Sequence, residues 1–285
     1  MKLASSGSSA EVHTSGGYIS SLILDGIDIL SPGNMDHKTH GGCAILFPFP
    51  NRIKSGTYEW NSKRYHLKLN DGPNAIHGLV NSIELEVESQ SESSLALTGK
   101  LSDSGYPSDL DLTLTYSLKR DSLGFSLKAR NTGKSSCPVA FGMHPYFLHG
   151  GAWQIEDEKT FRFLEYADGS FPDGNYKIVD PVEMNSMSGK TFDNCFELPG
   201  SITLGTRDYS IMISGNMNRY YVIYNGRWAG NKSVALEPMS AAPDSYNNGL
   251  GLFTLESGND VEFMETFRIV KKGNNPCAPS YLHPE

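Results

Sequence analysis

The sequence predicts an all-β chain, with mostly antiparallel strands in two large stacked sheets. Two stretches alternate apolar and polar residues with a period of two. In residues 109–120, Leu110, Leu112, Leu114, Tyr116 and Leu118 alternate with Asp111, Thr113, Thr115, Ser117 and Lys119. That spacing places one set on each face of an extended strand. Residues 82–89 repeat the pattern, Ile83, Leu85 and Val87 against Glu84, Glu86 and Glu88, as suits a sheet with one solvated face. Convincing helical periodicity is scarce, and 29 glycines and 15 prolines supply turn chemistry.

Further strands are expected at residues 18–24, 95–101, 125–129, 161–166, 209–214, 220–224, 234–236 and 253–255. The turn Ser257-Gly258-Asn259-Asp260 is expected to join 253–255 to 261–270 as a hairpin. No linker, composition shift or fixed-period repeat divides the chain, so residues 1–285 read as a single domain.

Composition narrows the partners. The net charge is -8, without a block of Lys or Arg, so nucleic acid and anionic membrane surfaces are not expected. No apolar run has the length of a transmembrane helix, and the first residues lack the apolar core of a signal peptide. Cys43, Cys137, Cys195 and Cys277 are scattered with no metal-like spacing, which reads as ordinary thiols in a cytoplasmic protein. A monomer or homodimer is expected, with no metal and no cofactor.

Four segments can carry chemistry. In residues 41–53 an apolar strand runs into Phe47-Pro48-Phe49-Pro50 and then exposes Asn51 and Arg52. Proline stiffens that mount, and a guanidinium on it suits hydroxyl or anion recognition; a salt bridge at a sheet edge is the plainer alternative. Residues 70–79 form a turn cluster carrying His77 beside Gly78, where a lone histidine is more often structural than catalytic. In 137–147, His144 interrupts an apolar and aromatic strand. Alternation sets His144 and Tyr146 on one face, Met143 and Pro145 on the other. An imidazole on an aromatic face can give a proton to an oxygen and recover it.

Glu237 ends the apolar run Val234-Ala235-Leu236. A carboxylate there is costly to bury without a partner, and a desolvated Glu becomes a stronger base. Pairing with an arginine such as Arg52 is the alternative. Asp193, between Phe192 and Phe196, can meet a hydroxyl, though alone it reads as a turn or cap. The loop His37-Lys38-Thr39-His40 reads as solvated.

Taken in order, these segments resemble the aldose 1-epimerase (galactose mutarotase-like) family. The matching motifs are F-P-x-x-N-R at 47–52, N-x-x-H-G at 74–78, H-P-Y-F at 144–147, D-x-x-F at 193–196 and E-P at 237–238, with Pro243, Asp244 and Asn247 echoing P-D-x-x-N. The resemblance implies a β-supersandwich and the interconversion of α and β anomers of a free sugar, with a monosaccharide as partner and no cofactor. It implies Glu237 as the base at the C1 hydroxyl and His144 as the acid at the ring oxygen. Arg52, His77, Asp193 and Asn51 would hold the sugar.

His144-Pro145-Tyr146-Phe147-Leu148 stands where the best-known mutarotases have His-Ser/Thr-Tyr-Phe-Asn, which marks a divergent branch. Leu79-Val80-Asn81 stands where the phosphosugar branch has an arginine, which argues against a sugar 6-phosphate. A phosphosugar or sulfosugar epimerase and a non-catalytic sugar-binding domain are the competing readings.

Overall fold

A computed structural model describes residues 1–157, 159–166, 170–186 and 191–272, and Cys277 lies outside them. An 11-stranded sheet and an 8-stranded sheet make up most of the molecule, with pairing antiparallel throughout. This is the expected stacked, antiparallel β architecture. Among the described residues, helix is confined to short stretches such as Pro181–Ser186 and Ser245–Asn248.

The long alternating segment forms strand Leu110–Leu118, with its leucines and Tyr116 buried. It pairs in full register with Ser122–Asn131, from Leu110 opposite Asn131 to Leu118 opposite Leu123. The acidic segment is shorter than its pattern suggested. Residues 80–82 form a 3-10 turn, and the strand runs Glu86–Gln90 with all residues exposed. Ile83 and Leu85 still pack inward, but a register shift between Val87 and Ser89 breaks the alternation, leaving Val87 in solvent.

The expected terminal hairpin does not form. Strand Phe253–Leu255 pairs with Cys137–Val139, while Asp260–Lys272 lies between Ser122–Asn131 and Tyr209–Gly215 in the 8-stranded sheet. The turn reverses the chain as expected, with Asn259 N–H donating to Glu256 O. Asn131 supplies the reason the strands part. Its amide donates to Leu255 O and Ser135 O, and its backbone N–H to Asn259 O, so it binds both sides of the turn.

The central strand for function is Gly142–Leu148, between Cys43–Leu46 and Ser233–Met239 in the 11-stranded sheet. Its alternation gives it two roles. Met143 and Phe147 point into the core between the sheets, where Phe147 meets Phe267 edge-on at 5.5 Å. Leu236, Tyr221 and Ile223 on the neighbouring strands join the same core. Each such side chain contributes about 1.5–3 kcal/mol by leaving water. The opposite face carries His144 and Tyr146 and is free of the second sheet, so it can hold a site.

Candidate functional site

Strand register assembles the site. Gly142 lies opposite Met239 and Tyr146 opposite Ala235, which sets His144 opposite Glu237. Glu237 faces Val222, Tyr224 faces Ala235, and Asp193 faces Tyr224. Residues directly across from one another share a face. His144, Glu237, Tyr146, Tyr224 and Asp193 therefore lie on one surface.

Two walls rise from it. One is the segment through Pro48, Pro50, Asn51 and Arg52. Pro50 packs so closely on Gly142 that a Cβ there would come within 2.8 Å of the Pro50 ring. Arg52–Ile53 pairs with Ala75–Ile76, and His77 N–H donates to Asn51 O at 3.0 Å, so two distant motifs become neighbours. His77 has φ +64, a left-handed conformation that turns the chain at the wall. Gly78 follows at φ +73, where any Cβ would run into the backbone of Phe47.

Asp244 secures the same wall. Its N–H donates to Arg52 O at 2.7 Å, and its carboxylate accepts from Lys54 N–H at 2.9 Å and from Asn247 at 2.7 Å. The P-D-x-x-N segment thus holds the backbone that carries Arg52.

The other wall comes from residues the sequence did not assign to a site. Thr39 and His40 line the cavity, as do Tyr224 and Trp228. The loop expected to be solvated is anchored: the Tyr146 hydroxyl donates to Thr39 O at 2.6 Å, and the Tyr18 hydroxyl to Gly41 O at 2.7 Å. His40 stacks on Trp228 with centroids 3.9 Å apart, although Trp228 is 48% exposed. The only signal in the sequence was an aromatic, Trp228, in a polar Gly-rich turn.

Between the walls is a cavity of about 370 Å³, lined also by Asn70, Asp71 and Ile76. All six expected site residues, Asn51, Arg52, His77, His144, Asp193 and Glu237, line it.

Their charges divide into two groups. Arg52 donates through Nε to Asp71 at 2.6 Å, and its Nη2 lies 3.8 Å from Asp193. Burial works against the guanidinium charge, but the Asp71 hydrogen bond and the two carboxylates outweigh it and raise its pKa. The expected alternative of an Arg52–Glu237 pair is not what forms. Glu237 instead meets His144, with Oε1 3.4 Å from Nε2.

That pair is deeply buried, Glu237 at 2% and His144 at 5% exposure. Burial pushes the Glu237 carboxyl well above its usual range, and the nearby Asp193 charge adds to this while Arg52 opposes it. Burial also drives the His144 imidazole far below its usual range, partly offset by its own carbonyl. His77 shifts the same way, through burial and then the neighbouring His144 and Arg52. Both members of the pair thus favour their uncharged forms, an arrangement with one proton, carried by Glu237. Glu237 Oε2, His144 Nδ1 and His77 Nδ1 have no protein hydrogen-bond partner. Buried polar atoms of this kind favour a ligand that brings hydroxyls. One proton between two groups that can each give or take it is the inventory for general acid–base transfer.

Comparison with known proteins bears on the family and the fold. The aldose 1-epimerase family model matches residues 1–268. YihR, an uncharacterized protein of Escherichia coli strain K12, is 26% identical over 90% of this chain and 89% of its own. The galactose mutarotase of Bos taurus is 29% identical over 64% of this chain, which spans about half, 53%, of that enzyme. Among solved structures, a galactose mutarotase-like protein from Clostridium acetobutylicum superposes with a TM-score of 0.84 at 17% identity, covering 95% of this chain and 94% of that one. Galactose 1-epimerase from Lactobacillus acidophilus gives 0.74 at 17% identity, with 94% and 92% covered. These likenesses extend to the whole supersandwich, and the chain belongs to the aldose 1-epimerase family.

Proposed function

We propose that this chain is a cofactor-independent mutarotase that interconverts the α and β anomers of a free, uncharged hexose. The observation that carries the reading is the buried His144–Glu237 pair, 3.4 Å apart on the floor of a polar cavity. A binding module has no need of two groups poised to exchange a proton.

In the reactive form Glu237 is the carboxylate and His144 the imidazolium. Glu237 takes the proton from the C1 hydroxyl as His144 gives one to the ring oxygen. The C1–O5 bond breaks and leaves an open-chain aldehyde. Rotation about C1–C2 presents the other carbonyl face, O5 attacks it, and both protons return. Proton transfer of this kind is worth about 10²–10⁴-fold for each positioned group. Arg52, Asp193, His77 and Asn51 hold the hydroxyls.

Charge balance favours a neutral sugar. Arg52 is the cation lining the cavity, and Asp71 and Asp193 already meet it. A phosphate or sulfonate would have to displace them. The test is a panel of freshly dissolved aldoses followed by polarimetry, with glucose 6-phosphate included. Faster equilibration of a neutral hexose is expected. Activity on the phosphate and none on glucose would overturn the choice of substrate.

A further inference from the structure

His144 is oriented without the hydrogen bond to a second residue that usually fixes a working histidine. In most such sites the nitrogen away from the chemistry donates to a carboxylate or carbonyl, which sets the tautomer and the ring plane. Here Nδ1 is buried and no other residue accepts from it; its own backbone carbonyl is the one such group near enough to favour the charged ring. The ring is instead held by aromatic surfaces. Tyr146 stacks on it, with centroids 4.8 Å apart and planes within 12°. His77 meets it edge-on at 5.2 Å and 72°.

Tyr146 is well placed to be rigid. It lies two residues along the strand from His144, so the two rings project from one face. Its hydroxyl is tied to Thr39 O at 2.6 Å, and the Tyr224 ring stands against it at 84°. A ring face within about 6 Å of a cation attracts it, and the attraction grows when water is excluded. The other groups around the imidazole do not all help a positive charge. Glu237 favours it, while His77 and His40 oppose it, and the adjoining strand offers only Ala44 opposite His144.

We propose that Tyr146 is a positioning residue of this site, one that fixes the His144 ring plane and favours the imidazolium through its π-face. This rests on the reading of His144 as the acid. Tyr146 takes no proton. It acts by shifting the shared proton from Glu237 towards His144, the arrangement from which the reaction starts.

The test compares Y146L, which removes the ring, with Y146F, which keeps it and removes only the tether to Thr39. Y146L is expected to lower kcat about 10–100-fold with KM within about threefold. Its acid pH–rate limb, where His144 takes the second proton, should move down by about one unit. Y146F should keep that limb and most of the rate. Phenylalanines carrying successive ring fluorines at position 146 weaken the π-face at nearly constant volume, so they cover the case in which Y146L does not fold. With them, the limb should fall in steps.

Ring ¹⁵N shifts of His144 in the sugar-free protein, followed through the acid limb, report the imidazolium without turnover, and Y146L should move their midpoint to lower pH. Unchanged shifts and an unmoved limb, with only KM raised, would overturn the proposal and make Tyr146 a wall of the cavity. If the wild type equilibrates no aldose, the mutarotase reading fails, while the ¹⁵N comparison still decides whether Tyr146 acts on His144.

Discussion

Glu237 Oε1 and His144 Nε2 lie 3.4 Å apart on adjacent antiparallel strands, each group displaced by burial towards its uncharged form. The pH dependence of the rate follows from this. On the proposed mechanism the active state holds one proton between the two groups. Adding a second removes the base, and losing the shared one removes the acid. Burial opposes both charges, so His144 resists the second proton on the acid side, and Glu237 keeps the shared one to higher pH. The expected profile is a bell with its limbs spread to either side of neutrality. A rate that instead tracks one unperturbed imidazole near pH 6.5 would contradict the assignment.

Arg52 holds its place through two carboxylates and reaches the cavity from the wall above Gly142. Removing it in R52A leaves Asp71 and Asp193 uncompensated beside Glu237. A charge-assisted hydrogen bond to a hydroxyl is worth enough that KM should rise about 10–100-fold. R52K should recover only part of this, because an ammonium cannot reproduce the planar fork. An unchanged KM in R52A would place the sugar elsewhere.

Glu265 tests the body of the sandwich rather than the site. It stands opposite Phe125 and Gly215 in strand Asp260–Lys272 and is 2% exposed, with the Asn218 side chain and the Thr266 amide as the polar groups beside its carboxyl. Burial pushes its carboxyl up to about 8, though Asn218 and the Thr266 amide ease the shift. A raised carboxyl contributes fully to stability below its ordinary value of 4.5, and the contribution is lost as pH rises through about 8. Thermal stability should therefore fall as pH rises from the ordinary value of 4.5 to about 8. E265Q should flatten that fall and gain on the order of 2–4 kcal/mol at the alkaline end. An equal slope in both proteins would show that Glu265 keeps its charge at no cost.

Gly78 couples backbone conformation to the site. Its φ of +73 and its approach to the Phe47 backbone leave no room for a side chain. G78A should lose about 2 kcal/mol or more in urea unfolding. It should also raise KM, because His77 is the preceding residue. Stability and KM both at wild-type values would mean that the wall shifts freely.

How far the sequence could be read depended on the range of the signal. Alternation in residues 109–120 reported a local property, the two faces of one strand, and that strand formed as read. The hairpin expected at 257–260 failed because its partner was set by Asn131, more than a hundred residues away, whose amide holds Leu255 and whose backbone holds Asn259. At the site, Arg52, His77, His144 and Glu237 stood out because each is a polar group breaking an apolar or turn pattern, but only the family resemblance joined them into one site. His40 was not, because a histidine in a polar loop looks solvated until Tyr146 and Trp228 draw it over the cavity. Likewise, Asp71 became visible only when strand pairing brought it to Arg52.

The central claim is that Glu237 and His144 move protons at a sugar's C1 hydroxyl and ring oxygen. Polarimetry of freshly dissolved α-D-glucose and α-D-galactose with wild type and E237Q, alongside calorimetric sugar binding, tests it most directly. The wild type should speed equilibration, and E237Q should lose about 10²–10⁴-fold in kcat while its sugar affinity stays within about threefold. No acceleration over buffer by the wild type, or equal rates for the two proteins, would contradict it.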